Sequence, residues 1–114
     1  MKVLLDENID IRLRFAFANT AHQVITTEYM GWKGIKNGEL LKLMSEQDFD
    51  VLIAVDKSLP YQHNQDRLPV AIFILDVKRN VLPALKTFVP DLLNRMSQPI
   101  DKKVVILAEP KSMP

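Results

Sequence analysis

Apolar residues fall into short unbroken runs, and several of these runs stop abruptly on acids. Val3, Leu4 and Leu5 end on Asp6, Glu7 and Asn8. Val51 to Val55 ends on Asp56 and Lys57, and Val70 to Leu75 ends on Asp76. Near-continuous apolar runs of this length are what strands buried on both faces require. Strands are therefore predicted at Lys2 to Leu5, Gln23 to Thr26, Val51 to Val55, Val70 to Leu75 and Val104 to Leu107.

The intervening segments read mainly as helices. Asn8 is placed to cap a helix running to about Asn19, and Asn37 to cap another through about Gln47. Leu40, Leu41, Leu43 and Met44 form the apolar stripe of the second. Asn80 is placed to cap a third, with Pro83 in its first turn, where proline is tolerated. Pro90 breaks or restarts that helix, which ends near Met96. Tyr29 to Lys36, with Gly31, Trp32 and Gly34, reads as a loop, and Lys57 to Leu68 as a polar loop or broken helix.

Strands alternating with helical segments predict an α/β domain with a mostly parallel sheet covered on both faces. It occupies residues 1–109, followed by a frayed tail over 110–114. Right-handed crossovers would carry the C-terminal ends of the strands to one edge, where open α/β sheets bind ligands. Asp6, Asp56 and Asp76 then become candidate neighbours.

One segment resists the helical reading. Ile9, Ile11, Leu13, Phe15 and Phe17 alternate with polar or small residues, which is strand period. A helix gathers Ile9, Leu13, Ala16 and Phe17 on one face and points Ile11 and Phe15 elsewhere. Those two are expected either to be covered by another part of the chain or to belong to a partner interface.

Composition narrows the choices. At 114 residues the chain is expected to be one domain. Its 15 Lys plus Arg against 14 Asp plus Glu leave a net charge of +1, so any basic surface for nucleic acid must be local. The absence of cysteine excludes disulfides and thiolate chemistry and fits a reducing cytoplasm. No signal-peptide pattern is present, and no run approaches the roughly 18 apolar residues of a membrane span. The expectation is a cytoplasmic protein with no membrane partner.

Mg²⁺ and Mn²⁺ prefer oxygen ligands, commonly one or two carboxylates with waters and substrate phosphate. Asp6 and Asp56 are the first candidate pair, and Glu39, in the first turn of the second helix, is the third. Each has a structural alternative: Asp6 as a helix cap, Asp56 as a turn residue, Glu39 as a partner of the helix dipole. Asn8 is either a cap or a contact to substrate, and Lys57 either a phosphate ligand or a solvated lysine. Lys33, Lys36, Lys78 and Arg79 could supply local positive charge. Trp32 either stacks on a base or pins its loop to the core. Tyr61, Gln62, His63 and Asn64 form a polar cluster, but His63 and His22 lack metal-ligand spacing. Neither a Ser-His-Asp arrangement nor a Gly-rich phosphate loop can be built.

The segments LLDEN at Leu4 to Asn8, GWKGIKNGELL at Gly31 to Leu41 and DVLIAVDKSLPYQ at Asp50 to Gln62 resemble the PIN-like family. These short prokaryotic proteins are relatives of the PIN nucleases and VapC-type toxins. NVLPAL at Asn80 to Leu85 and VPDLL at Val89 to Leu93 are also similar to it, so the resemblance spans nearly the whole chain. It implies a Rossmann-like, three-layer PIN-like fold and metal-dependent hydrolysis of RNA. Asp6, Glu39 and Asp56 match the family's acids and would bind Mg²⁺ or Mn²⁺, with Glu7 or Asp76 as a further ligand. By their place near the same edge, Asn8, Lys33, Lys57 and Arg79 are the candidate contacts to RNA. An antitoxin protein or a second copy of the chain is the implied protein partner. Many PIN domains carry another acid two residues after the one matching Asp56, where this chain has Ser58. That departure leaves open a PIN-like scaffold that binds a partner or RNA without cutting. A phosphotransfer receiver domain also places acids at strand ends, but LLDEN and NGELL fit the PIN-like pattern better.

Overall fold

The computed structural model describes residues 1–59 and 68–110. In chain order they form β1 (Lys2–Leu5), a 3-10 helix (Ile11–Phe17), β2 (Gln23–Thr26), α1 (Thr27–Met30) and α2 (Asn37–Glu46). Then follow β3 (Val51–Ala54), β4 (Ala71–Asp76), α3 (Leu82–Lys86), α4 (Val89–Met96) and β5 (Val104–Ala108). The five strands make one sheet of order β2-β1-β3-β4-β5, and every neighbouring pair is parallel.

Strand period two divides the core. Val3, Leu5, Val51, Ile53, Phe73 and Leu75 face one side, where Leu13 and Phe17 of the 3-10 helix, Leu85 of α3 and Leu92 and Met96 of α4 cover them. Leu4, Leu52, Ala54, Ile72 and Ile74 face the other, against Leu40, Leu41 and Met44 of α2. The central strands are apolar on both faces because both faces are buried. The result is a compact α/β domain, and none of its described helices is long and apolar enough to cross a membrane.

The predicted first helix is the main local correction. It is a 3-10 helix starting at Ile11, and its cap is Asp10, whose carboxylate accepts from Arg12 N at 2.9 Å. Asn8 does not cap it; its carbonyl instead accepts from Asn80 Nδ2 at 2.7 Å. Tight i to i+3 bonds run from Leu13 N to Asp10 O (3.0 Å) and from Ala18 N to Phe15 O (3.2 Å). Ile9, Leu13 and Phe17, four residues apart, are buried, whereas Ile11 and Phe15 are 44% and 64% exposed. The alternation thus marks one buried side, with Ile11 and Phe15 left toward solvent.

Other boundaries shift for similar local reasons. α2 begins at Asn37 with Lys36 as its cap, and α3 begins after Val81, because Asn80 is engaged with Asn8. The loop predicted from Tyr29 begins only at Gly31, because Tyr29 and Met30 belong to the single turn α1, capped by Thr26 Oγ1 accepting from Tyr29 N. Gly31, at φ 72, ends that turn in the left-handed region that favours glycine. Pro90 restarts the chain as the second residue of α4. The polar cluster Tyr61 to Asn64 and the tail over 111–114 lie outside the described residues.

The expectation of uniformly right-handed crossovers is not met. The β1-to-β2 and β4-to-β5 connections cover the same face but step in opposite directions along the sheet. They are therefore of opposite hand, against the strong preference for one hand. The β2-to-β3 connection, through α2 on the other face, shares the hand of the first.

The buried side of the 3-10 helix is testable. Leu13→Ala is expected to cost about 2–5 kcal/mol, as truncation of a fully buried leucine does. Phe15→Ser should change stability by no more than about 0.5 kcal/mol. Urea denaturation of both variants measures the contrast.

Candidate active site

β1 and β3 are sheet neighbours paired Leu5 to Ile53, and the chain leaves them in opposite directions along the sheet. Such a switch point opens a crevice at the C-terminal edge. Here it is a cleft of about 370 Å³. Its walls are Asp6 to Asn8 after β1, Gly34 to Asn37 leading into α2, and Asp56 after β3. A cleft of similar size, about 380 Å³, lies at the opposite edge around Met1, Phe49, Asp50 and Lys102, with no buried polar side chain on its walls.

Asp6 is held at the end of β1 by its backbone, whose N–H donates to Ile53 O at 2.9 Å. It is only 7% exposed. Burial is the largest influence on its carboxyl and raises its pKa above 3.8. The hydrogen bond from Glu7 N works against that shift, and the negative charges of Glu7 and Asp56 add to it. Glu7 N donates to Oδ1 at 2.9 Å, while Oδ2 receives no hydrogen bond from the described residues.

Asp56 follows β3 by two residues. Its Oδ1 accepts from both Ser58 N (2.9 Å) and Ser58 Oγ (2.7 Å). Glu7 reaches across the cleft, where its Oε2 accepts from Gly34 N at 3.0 Å. Gly34, at φ 82, needs its glycine for backbone conformation, since a Cβ there would meet nothing.

The remaining sequence candidates divide clearly. Asn8 and Lys36 are on the cleft walls. Glu39 is exposed in the first turn of α2 and is not among the wall residues. Asp76 is bound by Lys57 Nζ at 2.7 Å in an exposed ion pair, and neither residue lines the cleft. Lys33, Lys78 and Arg79 are exposed and line no part of the cleft. Trp32 packs on the second core, its ring 5.7 Å from Phe49, as expected of a loop anchor. His22 is near the chain's amino group, 3.1 Å from Nδ1.

Among the described residues, no group of three or more acids or histidines is arranged to hold a metal ion. Asp6 and Asp56 both line this polar cleft, and a divalent ion that keeps most of its water needs only one or two carboxylates. The sequence overlooked Gly34, Asn37 and the grip of Ser58 on Asp56. The last has a signal in the Asp-x-Ser spacing, which favours a local side-chain turn.

The strain on Asp6 predicts a pH signature. Its folded pKa is raised, so the native state holds the proton more tightly, and stability falls as pH rises from about 3.8 through the folded value. Asp6→Asn removes the charge and retains an acceptor for Glu7 N. The variant should have a higher urea midpoint than wild type at neutral pH, and the gap should close below pH 3.8. Comparisons with protein-family models, characterised proteins and solved structures find no match to this chain.

Proposed function

We propose that the chain is a divalent-metal-dependent ribonuclease of PIN type. The observation that carries the reading is Asp6: a buried carboxylate, one oxygen of which accepts no hydrogen bond from the described residues, sharing with the charge of Asp56 a cleft at the sheet's switch point. Displaced pKa values in clefts are a mark of functional groups. The LLDEN, NGELL and AVDKS segments supply the family resemblance.

Asp6 and Asp56 would hold Mg²⁺ or Mn²⁺, which when bound supplies neutralisation of phosphodiester charge and activation of a water nucleophile. The opposite wall has the opposite sign. Lys36 and the N-terminal end of α2 stand there, suited to phosphate oxygens. Asn8 offers an amide on the same rim. Glu39 lies outside this set, so the reading rests on two acids with Glu7 beside them. In the toxin role that the resemblance implies, an antitoxin would seat on the exposed Ile11 and Phe15.

Two observations favour other readings. Exposed Phe15, together with the position of Glu39, suits a scaffold that binds a partner without cutting. The strand order is shared with receiver-type phosphoacceptor domains, in which Asp56 would take up phosphate.

Calorimetric titration of Mn²⁺ into wild type and Asp56→Asn, with the same samples incubated with a mixed RNA pool, separates them. The nuclease reading expects binding by wild type, weakened at least about tenfold in the variant, or about 1.4 kcal/mol. RNA cleavage should fall with it. Folded protein without metal binding or cleavage would leave the scaffold. A phosphoryl adduct on Asp56 after incubation with acetyl phosphate, without cleavage, would establish the receiver.

A further inference from the structure

Asp6 and Asp56 share an unusual economy of hydrogen bonding. In each, the chain that follows the acid occupies one oxygen: Glu7 N on Asp6 Oδ1, and both Ser58 donors on Asp56 Oδ1. The two Oδ2 atoms accept no hydrogen bond from the described residues. Two donors converging on one oxygen also fix the carboxylate plane. A single bond would constrain that plane less.

We infer that Ser58 is a positioning residue for the cleft, holding Asp56 by Oδ1 so that it offers a cation one oxygen, Oδ2. This rests on the reading of Asp6 and Asp56 as cation ligands. The site then presents one oxygen from each acid and leaves the other positions to water and phosphate. That arrangement suits a small ion that keeps its hydration shell. It disfavours Ca²⁺, which takes roughly six to eight oxygens and often binds a carboxylate through both. Ser58 thereby acts on ion selectivity as well as affinity. Serine serves here because its hydroxyl returns to the acid two residues earlier, whereas a third carboxylate at this position would add charge beside an already strained Asp6.

The experiment is calorimetric titration of the full chain with MnCl₂, MgCl₂ and CaCl₂, for wild type, Ser58→Ala and Ser58→Thr. Ser58 is exposed, so neither change disturbs the core. Loss of a side chain that orients a ligand is expected to weaken Mn²⁺ binding by about tenfold or more. In Ser58→Ala the preference for Mn²⁺ and Mg²⁺ over Ca²⁺ should narrow as well, because Asp56 Oδ1 loses the hydroxyl and keeps only the backbone N–H of residue 58. Ser58→Thr, which keeps the hydroxyl, should restore both. A Ser58→Ala variant with wild-type affinity and wild-type selectivity, altered only in thermal stability, would overturn the inference and leave Ser58 as a turn residue. Wild type that binds none of the three ions would instead overturn the metal-site reading on which the inference stands.

Discussion

The structure depends on covering both faces of an all-parallel sheet whose central strands are apolar throughout. α2 and its neighbours meet that need on one face. On the other, the β1-to-β2 connection supplies only a seven-residue 3-10 helix. At about 2.0 Å per residue it spans about 14 Å, enough to lie over the β2 side of the sheet. Val51, Ile53 and Phe73 need further cover, and α3 and α4 provide it. To get there the chain turns back along the sheet edge after β4, where Asn80 donates to the Asn8 carbonyl. The opposite hand of the last crossover is the geometric consequence.

The same constraint decides where charge can sit. Strand interiors have no room for polar groups, so the chain's acids collect where strands end. Asp6 directly follows the last residue of β1, whereas Asp56 stands two residues beyond β3, and Asp6 is the one charged side chain among the buried described residues. Asp76 ends β4 nearer solvent and is met by Lys57. Exposed ion pairs of that kind contribute little stability. Among the described residues no cation pairs with Asp6. A buried acid with one oxygen unmet and two like charges nearby violates the usual consistency between local chemistry and fold, and such violations concentrate at functional sites.

How much of this was legible follows from how local each signal is. The strands were, because an apolar run needs no partner to declare itself, and Asp6 and Asp56 were legible as their endpoints. The anomalous alternation from Ile9 to Phe17 was legible as an anomaly. Its resolution was not, because the pull of Asp10 on Arg12 N competes with a cap at Asn8 whose own backbone is claimed by Asn80. The cap at Asn80 failed for the same reason: its amide serves a residue 72 positions away, which no local window contains. Glu39 lies at the right end of α2, but helix phase decides whether a first-turn side chain faces the cleft. The α2 boundary, at Lys36, fell a residue earlier than the sequence placed it.

What holds the cleft in shape is therefore its loops. Glu7 joins the β1 end to the Gly34 backbone, Asn80 joins the β4 end to Asn8, and Ser58 closes a turn on Asp56. Each of these bonds lies in exposed or partly exposed chain, where a single hydrogen bond contributes only about 1 kcal/mol. Their effect is geometric: three weak ties, each fixing one loop, set the spacing of groups that the sheet alone delivers only to the same edge. Glu7 is the joint among them. Its backbone N–H steadies Asp6 and its carboxylate steadies the Gly34 loop, so the acid wall and the Lys36 wall move as one piece.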